Sequence, residues 1–430
     1  MDNTTTSILT EIFNNYDKRV IPFTHGPVLI TTSIVLGILI ELKENQQLAA
    51  YVISHTQRWD DHRLKWSPDK YGGQSEVIAP QSMVWIPKLF VYNSLESREM
   101  LSDNRADVRI YHNGKIKINI PQYVEAICRI QTESFPFDCQ FCAVALASPL
   151  LNVKEMVVNT TSPPVDSYFT GNAEWSLFNV SVRHMRFQEE GEERVEIHYI
   201  FHLKRKPTYY LTVIVAPTFL ISALSILGIF SSSSNEGPRG EKVSLGLGSL
   251  LAMSVLLGIV AGAMPKSNSI PLLGYYILIV ILLCAIAVTV SMIFLSVSRY
   301  YIHREQMPSK KLFRALFMDE YRKRRNTVNR GAYFPYSEDS NCIPTISKIP
   351  ELNMIYQTIE EIAESHRSMR RKLEQKAHKK LVEKEWNRVF TRFDYFFLSL
   401  FELLNLAALT IFLRVAWLPT PELDPEVSLI

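Results

Sequence analysis

Four long, nearly uncharged stretches decide what this chain can fold into. They are Thr208–Phe230, Val243–Met264, Ile270–Val297 and Tyr395–Leu418. Each has about 20 residues or more, and a helix of about 20 residues crosses a hydrocarbon core of roughly 30 Å. One such run could lie inside a soluble domain. Four in a chain of 430 residues, 47% of them hydrophobic, could not, so the chain is read as a membrane protein with four spanning helices.

Charge gives the orientation. Between the third and fourth runs, residues 301–392 hold 20 Lys/Arg against 12 Asp/Glu, and such an excess marks a cytoplasmic loop. Three spans then separate that loop from residues 1–206, which lie outside. Sequons at Asn3, Asn159 and Asn179 agree with an exterior location. No basic-then-apolar leader precedes the outer segment, so the chain is expected to be a mature form behind a start Met. Cys128, Cys139 and Cys142 stand where disulfides form, with one of the three left over. Cys284 falls in the third run and Cys342 in the reducing cytoplasm.

Within the outer segment, Ile8, Ile12 and Phe13 have helical spacing. Period-two alternation follows. Ile110 and Ile116, Ile118, Ile120 flank an Asn113-Gly114 turn, which predicts a hairpin. VEIHYIFHLKRK reads as a last strand running into the membrane at Pro207. The expected fold is an all-β immunoglobulin-like sandwich ectodomain on a four-helix transmembrane bundle, with a partly helical cytoplasmic loop. The domains are 1–206 (ectodomain), 207–300 (three spans), 301–392 (cytoplasmic), 393–418 (fourth span) and 419–430 (outer tail). In the cytoplasmic part a basic amphipathic stretch, REQMPSKKLFRALFM, suits the membrane surface. A breaker-rich run, 327–350, reads as disordered. About forty residues without Pro or Gly then predict one long helix feeding the fourth span. No catalytic constellation, metal-ligand spacing or phosphate-binding glycine loop occurs, so no enzyme, cofactor or nucleic-acid role is expected.

WDDHRLKWSPDKYGG (Trp59–Gly73), VWIPKLFVYNS (Val84–Ser94), CRIQTESFPFDCQFC (Cys128–Cys142), GEKVSLGLGSLL and IPLLGYY together resemble the Cys-loop pentameric ligand-gated ion channels. The nicotinic acetylcholine receptor branch is the nearest, and an invertebrate orphan member fits the departures given below. The resemblance implies a Cys128–Cys142 disulfide with Cys139 as a free thiol. It implies a cis Pro136, and a loop whose Phe135, Pro136, Phe137 and Asp138 couple the sandwich to the membrane helices. Glu44 and Arg205 match a family pair at that junction, and Pro265 and Pro271 bracket the loop that receives the signal.

Helical spacing places Ser244, Gly248, Leu251, Val255, Ile259 and Gly262 on one stripe of the second span. The resemblance makes this stripe the pore lining, with Leu251 at the apolar gate. Glu241 ahead of it forms a carboxylate ring, which implies cation selectivity. The proline-alanine-arginine pattern of anion-selective relatives is absent. Arg239 beside Glu241, and Gly262 where an acid is often found, weaken cation enrichment. Glycines at 246, 248, 258 and 262 fit either close helix packing or a wider pore. Asp394 resembles an acid common in the family, and Glu402 lies about 12 Å beyond it along the helix.

The ligand site departs from the family. Tyr92 matches one wall of the aromatic cage that holds a quaternary ammonium. Pro149 and Ser54 stand where tryptophans are expected. The capping loop holds Phe187 but no paired cysteines, and Arg194 replaces a tyrosine. Arg109 and Lys117 are expected on the neighbouring face, opposite Glu189, Glu190, Glu192 and Glu193. Such a pocket suits a small zwitterionic or amphipathic extracellular ligand rather than acetylcholine. The expected partners are four further channel subunits and membrane lipids, at the plasma membrane. An accessory subunit that binds no ligand, or a non-conducting tethered binding protein, are the alternatives.

Overall fold

The computed structural model describes residues 2–23, 26–101, 105–161, 163–164, 167–189, 191–231, 240–263, 270–308 and 350–417. Outside these lie Glu190, Arg239, Pro265, Cys342, the tail after 417, most of the basic amphipathic stretch and nearly all of the breaker-rich run. Asn3, Glu189 and Glu241 are described by backbone alone.

The chain divides into two compact units. The first comprises Met1–Ala216, Leu257–Tyr276 and Ile411–Ile430; the second comprises Pro217–Leu256 and Ile277–Thr410. In the first, helix α1 (Asp2–Phe13) buries Ile8 and Ile12 on one face. Among the described residues twelve strands follow: β1 Val28–Lys43, β2 Leu48–Asp60, β3 Glu76–Pro80, β4 Phe90–Val91, β5 Ser94–Glu99, β6 Asp107–Tyr111, β7 Lys115–Ile127, β8 Cys139–Ala147, β9 Met156–Thr160, β10 Tyr168–Thr170, β11 Trp175–Glu189 and β12 Glu192–Arg205.

One sheet runs β10-β1-β2-β7-β6-β3, with β5 on β7 and β9 on β1; the other runs β11-β12-β8-β4. β9 and β10 lie parallel to β1, a feature that period-two alternation does not encode. A parallel pair needs a crossover, here the chain leaving β8 in the other sheet. Tyr51 and Phe201 stack across the core at 4.6 Å. The β6–β7 hairpin turns at Asn113-Gly114, where Gly114 has φ +84° and a Cβ would meet the Asp61 carbonyl oxygen at 2.6 Å. Cys128 just past β7 and Cys142 in β8 form a disulfide with Cα atoms 5.0 Å apart, and Cys139 is a free, buried thiol. Asn159 on β9 and Asn179 on β11 are exposed.

The core of the sandwich also holds a histidine. His55 is fully buried, with Nε2 3.0 Å from Gln57 Nε2. Burial pushes its pKa down from 6.5 to about 4. The folded state therefore binds fewer protons than the unfolded chain. Stability from this group is complete above pH 6.5 and is lost as the pH falls through 4. A His55→Gln variant is expected to flatten the acid limb of a thermal-stability profile, removing a pH-dependent loss of about 3 kcal/mol. An unchanged limb would place the acid sensitivity elsewhere.

Among the described residues, four helices are long and apolar enough to cross a membrane: α2 (Thr208–Phe230), α3 (Gly240–Ala263), α4 (Leu272–His303) and α5 (Pro350–Arg414). In α2, Leu211–Val215 form a π-helical turn just ahead of Pro217. The proline ring lacks an N–H and crowds the carbonyl four residues back, and the widened turn absorbs both. Within the second unit Phe230 stacks on Phe401 at 5.5 Å. Ser225 bonds Ser249 at 2.7 Å, and Ser222 donates to the buried Asn405 at 3.1 Å. Glu402 lies one turn before Asn405. α5 is a single helix of 65 residues.

Candidate coupling hub, pore face and ligand cleft

Arg205 ends β12, and its side chain has no solvent exposure. Its Nε donates to Asp138 Oδ1 at 2.8 Å, and Nη2 reaches Asp138 Oδ2 at 3.2 Å and Glu44 Oε1 at 2.5 Å. Nη1 donates to Glu174 Oε1 at 2.7 Å and to Tyr210 Oη at 3.3 Å. The guanidinium carbon lies 4.1 Å from the Trp175 ring centre and 4.7 Å from that of Phe135. One cation thus gathers three carboxylates from separate places: the β1–β2 turn, the disulfide loop and the turn before β11. A planar fork is the side chain that can do this.

Burial works against the charge on Arg205, but the hydrogen bonds to Asp138 and the fields of Asp138 and Glu44 outweigh it and raise its pKa. Burial pushes the Glu44 carboxyl up, against the pull of Arg205. Gln140 Nε2 adds a 2.7 Å bond to Asp138.

The disulfide loop is fastened to the start of α4. The N–H groups of Leu272 and Leu273 donate to the carbonyls of Glu133 at 3.0 Å and Phe135 at 3.2 Å. These are first-turn donors that a helix leaves without internal partners. Phe135 meets Tyr210 edge-on at 4.7 Å and Phe137 meets Phe412 at 5.5 Å. The Phe135–Pro136 peptide is cis. Pro271 is half-buried and accepts the Tyr275 N–H at 3.1 Å.

α3 has two unlike faces. Leu251, Val255 and Ile259 are 68%, 56% and 61% exposed, and Ser244, Gly248 and Gly262 on the same stripe are exposed too. Half a turn round the helix, Gly246, Met253 and Val260 are buried. The glycines of α3 differ in their surroundings. At Gly246 a Cβ would meet Val288 Cγ2 at 2.6 Å, so this residue permits close packing on α4. Gly248, Gly258 and Gly262 have open space instead. Glu241 lies in the first turn of α3.

In the outer domain Tyr92 and Phe187 bring their rings to 6.4 Å. Phe187 and Arg194 are cross-strand partners on β11 and β12, and Arg194 Nη1 donates to the Pro149 carbonyl at 3.1 Å. The structure therefore gathers Tyr92, Phe187, Arg194 and Pro149 in one place. One expectation is corrected. Ser54 is buried in the central strand β2 and donates to Asn119 Oδ1 at 2.7 Å, so it lines no open cleft. Arg109, the cross-strand partner of Lys117, is partly exposed and ion-paired with Glu76 on the adjoining strand. Glu193 pairs with Arg186 at 3.4 Å.

Sequence patterns do not single out Glu174, Trp175 and Tyr210, which the fold brings to the hub. Their only signal is a Glu-Trp pair at the start of a strand and a tyrosine beside the membrane entry.

Residues 5–207 match the neurotransmitter-gated ion-channel ligand binding domain, and residues 214–332 match the neurotransmitter-gated ion-channel transmembrane region. The proton-gated ion channel subunit pbo-6 of Caenorhabditis elegans is 31% identical over 57% of this chain and 58% of its own length. The acetylcholine receptor subunit alpha-type des-2 of the same organism is 28% identical over 71% and 58%. The neuronal acetylcholine receptor subunit non-alpha-2 of Carassius auratus is 27% identical over 96% and 93%. The chain thus spans a little over half the length of the first two. It belongs to the neurotransmitter-gated ion-channel family.

Proposed function

We propose that the chain is a subunit of a pentameric, cation-selective ligand-gated channel whose agonist is not acetylcholine. The observation that carries this reading is the exposed apolar stripe of Leu251, Val255 and Ile259, opposite a buried face of the same helix. Five copies turning that stripe to a common axis enclose a path that water fills or leaves. The same stripe argues against a non-conducting tether. Cation selectivity rests on Glu241 at one end of α3. A Glu241→Lys channel is expected to shift its reversal potential toward that of chloride in dilution experiments; an unchanged potential would remove the assignment.

The agonist reading rests on Arg194. A quaternary ammonium entering beside Tyr92 and Phe187 would meet a fixed positive charge there, which opposes cation–π capture. A zwitterionic or amphipathic ligand can offer a carboxylate to it. The missing aromatic walls favour one second reading, an accessory subunit that binds nothing. Expression of the chain alone, screened with amino acids, amines, acetylcholine and acid steps, separates the two. Agonist-evoked current supports the first, and assembly with current only beside another subunit supports the second. An acetylcholine response of ordinary potency would refute the agonist reading.

A further inference from the structure

β12 carries a second buried ionisable group of residues, away from Arg205. Ile197, Tyr199, Phe201 and Leu203 belong to the core of the sandwich, so Glu196 and His198, at alternate places, lie on the other face of the strand. Both are enclosed all the same, at 7% and 5% exposure. His198 Nε2 lies 2.9 Å from Glu196 Oε2. A carboxylate offers only acceptors, so Nε2 of the neutral ring carries the hydrogen and donates it.

The pair borders the ligand cleft. Arg194 is on the same face of the same strand, two residues before Glu196. Ala145 is the cross-strand partner of His198 on β8, and its carbonyl accepts the Tyr92 N–H at 2.7 Å. Two strands supply the titratable groups of this face. β12 brings Glu192, Arg194, Glu196, His202 and Lys204, and β11 brings Arg183, the cross-strand partner of His198. β8 sets only Ala143, Ala145 and Ala147 beside this part of β12. Glu196 is thus the carboxylate nearest in register to His198, with a guanidinium two residues before it and another on the adjoining strand.

We propose that His198 sets which charge the ligand cleft accepts, and that it does so according to extracellular pH. A protonated His198 engages Glu196 as an imidazolium, and the carboxylate no longer offsets Arg183 and Arg194. The cleft gains one positive charge in an enclosed place, where salt screens little. Acid then favours a ligand's carboxylate and disfavours an ammonium group. The inference rests on the reading of Arg194 as a ligand contact. Histidine suits the task because it is the side chain whose ordinary charge change falls between about pH 5 and 8. A lysine in its place would stay charged across that range, and a glutamine would never gain a charge.

The test uses the full-length chain on cells with Tyr92→Cys, a position 50% exposed beside the pair. Two methanethiosulfonates of similar size, one negative and one positive, react with this thiol, and the chain without the new cysteine gives the background. The ratio of the two rates reports the local potential, because the thiolate fraction cancels. From about pH 7.5 to about pH 5.5 the negative-to-positive ratio is expected to rise at least about threefold. His198→Gln keeps a donor for Glu196 without titrating, and should abolish the rise. Glu196→Gln is the second variant, and its ratio should already be raised at about pH 7.5. A ratio indifferent to pH in the Tyr92→Cys chain, a rise that survives His198→Gln, or an unraised ratio in Glu196→Gln overturns the proposal. Arg194→Gln tests the underlying reading separately. A lower ratio at both pH values upholds the charge of Arg194 in the cleft whatever His198 does, and an unchanged ratio removes that reading.

Discussion

Replacing Arg205 by Gln is expected to abolish agonist-evoked current and to lower the surface level of assembled protein at least tenfold. The guanidinium has no solvent exposure, and Asp138 and Glu44 beside it are 2% and 13% exposed. Removing the cation strands these carboxylates in a water-poor site. Breaking such a pair from one side costs about 3–5 kcal/mol, a large share of the roughly 5–15 kcal/mol that holds a typical domain folded. The loss also falls at the junction, because the Asp138 backbone carbonyl accepts the Arg205 N–H while its loop holds the start of α4.

The partners should rank by burial. Asp138→Asn comes next after Arg205→Gln, since Asp138 takes two bonds from Arg205 and one from Gln140. Glu44→Gln follows. Glu174→Gln should cost at most about 1 kcal/mol, because Glu174 is 44% exposed and water can replace it. Arg205→Lys keeps the charge but not the fork and should fall between the extremes. Combining Asp138→Asn with Arg205→Gln should recover part of the loss by removing one stranded charge. Thermal melts of the detergent-solubilised protein check the order. Equal losses from Glu174→Gln and Arg205→Gln would refute the burial argument.

Much of the architecture is legible in the amino-acid sequence. Four apolar runs and a basic loop dictate spans and orientation, because the bilayer allows few alternatives. Alternation around Asn113-Gly114 encodes a hairpin, because a type of turn and a face are written locally. The stripe on α3 is legible for the same reason: helical period alone sets which residues share a side. What local pattern hides is everything that long-range packing decides. Glu174 and Trp175 reach Arg205 from a turn about thirty residues earlier in the chain, and no local pattern announces it. β9 and β10 pair with β1 through a crossover that alternation does not record. Ser54 reads as a cleft position because its neighbours resemble one, but both flanks of β2 are occupied and the side chain is enclosed. The Arg109–Glu76 pair joins two strands 33 residues apart, and no local pattern announces it.

Leu251→Ser is expected to produce a standing leak without agonist and to lower the agonist concentration for half-maximal current at least tenfold. Leu251 is 68% exposed in the single chain, on the side of α3 away from the buried Met253. In a ring of five, its side chains can hold a narrow passage dry, and a dry passage stops ions. Exchanging the isobutyl group for a hydroxymethyl removes apolar surface worth at least about 1 kcal/mol per copy, at roughly 25 cal/mol per Å². If all five subunits are this chain the losses add, and the closed state loses about 5 kcal/mol. Moving a two-state equilibrium from 1:99 to 99:1 takes about 5.5 kcal/mol, so the substitution alone is of the size needed to open the pore. Met253→Ser is the matched control. Met253 has 0% exposure on the opposite face, so the same polar change there should reduce expression through lost packing and give no leak. Current recordings from cells expressing each variant separate the two. A leak from Met253→Ser with a silent Leu251→Ser would put the conduction axis on the other side of α3 and end the pore assignment.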